Sequence, residues 1–318
     1  MVRVIDRWQQ RTPIAAFIVA IFKKFGDDSG SKLSSLIVFS AFLSFFPLML
    51  IVVTATSFMA QRYASLATSI RDSAISEFPV VGTELTRTTG SLPGSGLGLV
   101  VGFVLLFWGG LGFTRALQDA FLEIWHVPHK KRPSWMTRLK RSIALITILF
   151  AGVLATVILT FIGTLIKNSM LAGSLGLAAA YVLSATLYVW LFWLLSPRNL
   201  RIVELLPGAV IAGLGWQTLQ VLGIRLVGTQ LRRSSELYGT IGAVLGLIWF
   251  LLLTTNTLIY ALEVTVVYKQ HLWPRSIVQP PLTNSDQAVL SALAMREERY
   301  IGEIVSVRFD ASVTPNDV

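Results

Sequence analysis

Six stretches of this 318-residue chain run for about 18 residues or more without a single Asp, Glu, Lys or Arg. A helix needs roughly 20 mostly apolar residues to cross a hydrocarbon core of about 30 Å. In that core, every backbone N–H and C=O must be satisfied inside its own segment, so an apolar run of this length folds as a spanning helix. The runs lie at 35–59, 97–114, 142–166, 172–196, 205–224 and 237–262. The second is short, but no charge falls between Arg87 and Arg115, so its helix has room to extend. The fifth is rich in glycine and contains Gln217 and Gln220. The fold class expected is all-α: a polytopic membrane protein with six transmembrane helices.

Composition agrees. Hydrophobic residues make up 53% of the chain and charged residues 14%, against about 25% charged in a soluble domain. The net charge of +10 is not spread evenly. With six spans, 20 of the 27 Lys and Arg residues fall on the side that carries both termini and 7 on the other. Such an asymmetry is the positive-inside signal, and it predicts both termini in the cytoplasm. The basic charge therefore reads as topology, and no nucleic-acid partner is expected. The partners expected are membrane lipids, with Lys130, Lys131 and Arg132 placed to meet anionic headgroups just after a span.

The expected organisation has three parts. Residues 1–32 form an N-terminal cytoplasmic segment, 33–268 the transmembrane domain, and 269–318 a cytoplasmic tail. In the first part, Ile14, Phe17, Ile18, Ile21, Phe22 and Phe25 recur at helical spacing between Thr12-Pro13 and Gly26. This is too short to span, so an amphipathic helix is expected in the membrane interface or against the bundle, with Lys23 and Lys24 near headgroups. Residues 60–96 form an outside loop ending in the breaker-rich GSLPGSGLG. No cleavable signal peptide pattern is present, because residues 1–11 are polar and the first apolar run is short. In the tail, Pro274, Pro280 and Pro281 mark a linker. Asn284 or Ser285 then caps a short helix ending near Arg299, and VSVRF (305–309) alternates like a strand. A tail this size cannot build its own core, so it docks on the membrane domain, moves freely, or recruits a cytoplasmic partner.

Chemistry-bearing motifs are sparse. There are no cysteines and three histidines, His126, His129 and His271. No hydrolase, zincin or P-loop signature occurs. No catalytic residue, cofactor or metal is expected, and the chain does not read as an enzyme. The informative residues are polar groups inside apolar runs, which are costly in lipid and default to function. In the first span, Ser40, Ser44 and Pro47 share one face, expected to look into the bundle and either pack or line a cavity. In the last, Gly242, Gly246, Trp249, Asn256, Tyr260 and Glu263 are spaced by three and four, with Gly239 and Leu253 completing the stripe. The stripe is expected to face the bundle, with Asn256 bonded to another helix. Arg115 and Glu204 fall at the same boundary as Glu263, and either could pair with it. Gly-x-x-x-Gly pairs permit close approach within one chain or between copies, so a homo-oligomer is an open alternative.

Several stretches together carry a resemblance. An amphipathic helix ending in KKF precedes a span containing SFFPLML; a second span runs into RALQDAFLEIW (115–125) and a basic loop; YGTIGAVLGLIWF…ALE (238–263) closes the series. Over most of residues 12–268 this resembles the YihY/BrkB family of bacterial inner-membrane proteins. The family's usual Asn in the second element reads Leu122 here, and its Gly-Ala-Glu reads Ala261-Leu262-Glu263. The resemblance implies six spans with both ends inside the cell. It also implies an envelope-related role, with lipid or lipopolysaccharide-precursor export among the associations of its members. An older label, ribonuclease BN, comes with it, but metal-dependent RNA hydrolysis needs a His/Asp cluster that this chain lacks. Two function classes remain, a transporter or flippase of an amphiphile and a non-transporting membrane scaffold.

Overall fold

The computed structural model describes residues 2–60, 96–165, 169–197, 200–230 and 239–310. Among them the chain is helical: α1 (Val2–Arg11), α2 (Pro13–Asp27), α3 (Gly30–Ala60), α4 (Gly96–Ile124), α5 (Trp135–Leu165), α6 (Ser169–Leu195), α7 (Ile202–Gln230), α8 (Gly239–Gln270) and α9 (Asn284–Arg296), with one 3₁₀ turn at His129–Lys131. Six helices are long and apolar enough to cross a membrane, over Gly30–Leu48, Val100–Ile124, Trp135–Leu159, Leu175–Leu195, Ile202–Gly223 and Val244–Gln270. Several helices outrun the apolar stretches that announce them. Thus α4 continues through RALQDAFLEI, and α8 runs past Glu263 to Gln270. Charge ends a hydropathy window but does not end a helix whose next turns find partners. The expected outside loop at 60–96 falls almost wholly outside the described residues.

Each span packs on the next in sequence, and α8 closes the ring against α3. Near one end, α4 also touches α6 and α8 across the middle. At that end lie both terminal segments: Gln9 donates to the Arg275 carbonyl at 2.7 Å, and Lys23 pairs with Asp286 at 2.9 Å. We call it the terminal face. Among the described residues the main apolar core lies there, around Ile37, Phe121, Ile124, Phe192, Leu205, Ile259 and Leu262. Away from it the spans expose large apolar side chains such as Trp108 and Phe150. In hydrocarbon such exposure carries no penalty, because lipid tails are as apolar as the side chains.

Small residues set the crossings. A Cβ on Gly208 of α7 would lie 2.0 Å from Thr265 Oγ1 and 2.3 Å from the Ala261 carbonyl of α8. Two turns on, a Cβ on Gly215 would meet Thr257 Cγ2 at 2.2 Å. Between α3 and α4, a Cβ on Gly109 would lie 3.0 Å from Ser44 Oγ.

The stripe on α8 divides. Asn256 accepts a hydrogen bond from Ser34 of α3 at 2.6 Å, Tyr260 packs on Phe25 and Phe22, and Glu263 is buried. Gly242, Trp249 and Leu253 are exposed, so the outer half of the stripe faces away from the bundle, contrary to expectation. Periodicity places residues on one face; only the neighbours decide what covers it. At the terminal face that cover is α2 and α3, and farther along none of the described residues covers Trp249 or Leu253.

The amino-terminal segment also corrects the reading. Residues 2–11, polar in composition, form α1. Thr12 and Pro13 open α2, but Gly26 does not stop it: the turn comes two residues later, with Ser29 at φ 56. α2 buries Ala16, Ala20, Ile21 and Lys24 against the bundle and exposes Ile14, Ile18 and Phe22. In the tail, Thr283 rather than Asn284 or Ser285 caps α9, in a reciprocal capping box with Asp286. VSVRF forms no strand, since no described residue offers an edge for it to pair with.

Replacing Gly208 with Ala pushes a methyl into backbone and is expected to cost about 1–3 kcal/mol. Gly215→Ala meets only a threonine methyl that can rotate, and costs less. Thermal unfolding of the two purified variants in detergent measures the difference, which vanishes if the α7–α8 crossing is not at Gly208.

Candidate functional site

The sequence KKFGDD (23–28) ends α2 with two overlapping i, i+4 pairs of opposite charge. On a helix such pairs share a face, and consecutive pairs point about 100° apart. One pair turns into the bundle and the other toward the tail.

Lys24 and Asp28 take the inward direction. The Lys24 ammonium is fully buried and lies 3.0 Å from Glu263 Oε2. It also contacts Asp28 Oδ2 directly and donates to the Ile124 carbonyl at 2.9 Å. That carbonyl belongs to the last turn of α4, where backbone acceptors lack helical partners. The second Asp28 oxygen meets His126 Nε2 at 2.6 Å. His126 follows the end of α4 in a left-handed conformation, φ 50. Four ionisable groups from α2, α8 and the α4 terminus thus form one cluster shielded from solvent.

The electrostatics are those of mutual dependence. Burial alone would lower the Lys24 pKa, but Glu263 and Asp28 outweigh it and raise the value above that of a free lysine. Burial alone would raise that of Asp28; the His126 hydrogen bond and the Lys24 charge hold it below the ordinary aspartate value.

Lys23 and Asp27 take the other direction. Lys23 pairs with Asp286 at 2.9 Å, and Asp27 with Arg275 at 2.7 Å. Asp286, itself buried, also accepts from Arg275 Nε at 2.9 Å, the Ser276 hydroxyl at 2.6 Å, the Ser276 N–H at 3.0 Å and the Thr283 hydroxyl at 2.8 Å. Burial alone would raise the Asp286 pKa, but the bonds from Ser276 and Lys23, then Thr283, hold it well below the usual carboxylate range. This latch fixes the tail. A second attachment joins the tail to the basic loop, where Glu123 meets Arg132 and Arg296, Lys130 meets Glu298, and His129 meets the Arg296 carbonyl.

The residues singled out from sequence have varied fates. Glu263 lies in the cluster, but its partner is Lys24, neither Arg115 nor Glu204. Arg115 is exposed, and Glu204 pairs with Lys269. Lys24 is not near headgroups, because Ala20 and Ala16, one and two turns earlier, let α2 approach closely and carry it inside. Lys130 and Arg132 are committed to the tail and to Glu123, which leaves Lys131 as the exposed cation of that loop. The Ser40 and Ser44 hydroxyls donate to the Leu36 and Ser40 carbonyls of their own helix, so they do not reach the carbonyl freed by Pro47. Sequence reasoning missed Lys24, Asp28 and His126. The available signal was the four-residue spacing of Ala16, Ala20, Lys24 and Asp28.

A groove of about 670 Å³ opens elsewhere, between α5 and the α6–α7 connection, lined by Lys140, Arg141, Trp193, Leu194, Leu200 and Leu205 among others.

Lys24→Met leaves two buried carboxylates without their cation and is expected to cost about 3–5 kcal/mol. Adding Glu263→Gln should return part of the loss, so a double-mutant cycle on unfolding yields a favourable coupling; simple additivity would refute the pairing. The latch predicts a pH effect of definite sign. A lowered folded-state pKa contributes stability that is fully present above the unfolded aspartate pKa and is lost as pH falls below it. The tail should therefore resist pepsin near the unfolded pKa and become cleavable at more acidic pH, and Asp286→Asn should move cleavage upward in pH.

The comparisons can be set beside this geometry. A family model described as virulence factor BrkB matches residues 21–281, a region that includes Lys24, Asp28, His126, Glu263 and Arg275. Two relatives are similar along most of the chain. The inner membrane protein YhjD of Escherichia coli (strain K12) is 23% identical over 263 residues, 76% of this chain and 77% of that protein. An uncharacterised protein of Dickeya dadantii (strain 3937) is 22% identical over 264 residues, 75% of this chain and 78% of the other. No solved structure matches the chain. With six membrane-spanning helices and a family match across most of its length, the chain belongs to the BrkB family of membrane proteins.

Proposed function

We propose that this protein is a carrier of an amphiphile across the inner membrane, with the buried charge cluster as a lock at its cytoplasmic end. The observation that carries this reading is the cluster itself. A short helix outside the spans sends Lys24 and Asp28 inside to meet Glu263 of a span. A buried ion pair is a poor device for stability alone, since desolvation offsets most of its attraction. It is a good device for a joint with two states, because one proton or one displaced partner changes its free energy sharply.

Two features support the reading. Among the described residues, the apolar core surrounds the lock at the same end of the bundle, so a change in the lock acts directly on the packing of several spans. The groove beside Lys140, Arg141 and Trp193 combines apolar walls with positive charge, as an anionic amphiphile requires. The charge asymmetry of the loops supports placing the lock and both termini in the cytoplasm.

The scaffold reading is favoured by one observation, the number of bonds invested in holding the tail. The two readings differ in which substitutions matter. In liposomes carrying fluorescent phospholipids, the carrier reading expects leaflet exchange well above protein-free vesicles. Glu263→Gln should change that rate about tenfold or more, and deletion of 275–318 should change it less. Exchange at the protein-free rate across zwitterionic and anionic lipids would overturn the carrier. A cellular function lost with the tail and kept in Glu263→Gln would favour the scaffold.

A further inference from the structure

α1 divides into three sectors. At about 100° per residue, Asp6, Gln9 and Gln10 share one side, and this side faces the protein. Asp6 accepts from the Ile277 and Val278 N–H groups at 2.9 and 3.4 Å, and Gln9 donates to the Arg275 carbonyl. Arg3, Arg7 and Arg11, spaced by four, form a second side. All three are exposed, and none is ion-paired among the described residues. Val4, Ile5 and Trp8 form the third, at 65%, 51% and 62% exposure. A ten-residue helix in water would not leave Val4, Ile5 and Trp8 all uncovered.

The neighbouring surface indicates what covers them. On α2, Ile14, Ile18 and Phe22 are exposed at intervals of four. Phe22 contacts Tyr260 of α8, ring centroids 5.4 Å apart, and two and three turns along α8 the same stripe exposes Leu253 and Trp249. The lipid-facing side of a span therefore continues through Tyr260 and Phe22 onto α2, which joins α1 through a single bend at Thr12. An acidic protein surface would satisfy the arginines and leave the apolar sector bare. A second copy would set arginine against arginine. A bilayer with anionic headgroups satisfies both sectors at once, the apolar one below and the basic one at phosphate level.

We infer that α1 lies on the bilayer surface as an anchor for anionic lipid headgroups, and that through Asp6 and Gln9 it ties the start of the tail to that surface. The inference stands apart from the carrier reading.

The chain contains no cysteine, so Val4→Cys gives a unique labelling site on the exposed side. The full-length protein, labelled there with an environment-sensitive fluorophore, is placed in nanodiscs of phosphatidylcholine, alone or mixed with phosphatidylglycerol. In the mixed discs the emission should shift to the blue, resist iodide and be quenched by lipids brominated on their acyl chains. Arg3→Gln, Arg7→Gln and Arg11→Gln should each lower the shielded-to-exposed ratio by about fivefold, and remove the preference for phosphatidylglycerol when combined. These exposed substitutions should leave the melting temperature unchanged. A label open to iodide in both lipids would overturn the inference, as would one shielded equally with and without the arginines. A label protected from iodide but untouched by brominated chains would mean that protein covers α1, and would overturn it too.

Discussion

An ammonium in an apolar interior is tolerable only in the company of carboxylates, and the terminal face of this molecule is arranged around that condition. Lys24 touches Asp28, Glu263 and the last turn of α4. Removing any of the three leaves the others in a medium that cannot solvate them. α2, α4 and α8 are therefore held to one another more stringently than apolar contact alone would hold them.

The same helix turn fixes the tail. Because Lys23 and Asp27 sit one residue before Lys24 and Asp28, whatever moves the inner pair moves the outer pair with it. The Arg275–Asp286 latch thus shares a lever with the Glu263 cluster. α1 adds a third attachment to the same tail segment through Asp6 and Gln9. Bilayer surface, tail and span interior meet within a few residues of one another, a geometry suited to passing a change at one to the others.

How far this was legible differs by element. The spans could be read directly, because the cost of exposing peptide groups to hydrocarbon acts within each segment. Glu263 could be singled out for the same reason, as an ionisable group beside apolar sequence. Lys24 was harder: a lysine on a short amphipathic helix ordinarily sits among headgroups, and only the small Ala16 and Ala20 hint at close approach. His126 showed no partner nearby in sequence, and its partner Asp28 lies on another helix. α1 escaped notice because Arg3, Arg7 and Arg11 dominate its composition while Val4, Ile5 and Trp8 set its surface.

By itself the sequence determined that the chain enters a membrane, how many helices cross, and that polar side chains inside those helices must find partners. Each follows from free energies that act within a single segment. Only the tertiary structure decided which partners they find, Glu263 with Lys24 and Asn256 with Ser34, and that Trp249 stays exposed. The deciding quantity was how closely each helix can approach its neighbours. That depends on small residues such as Ala20, Gly109 and Gly208 acting together across segments distant in sequence.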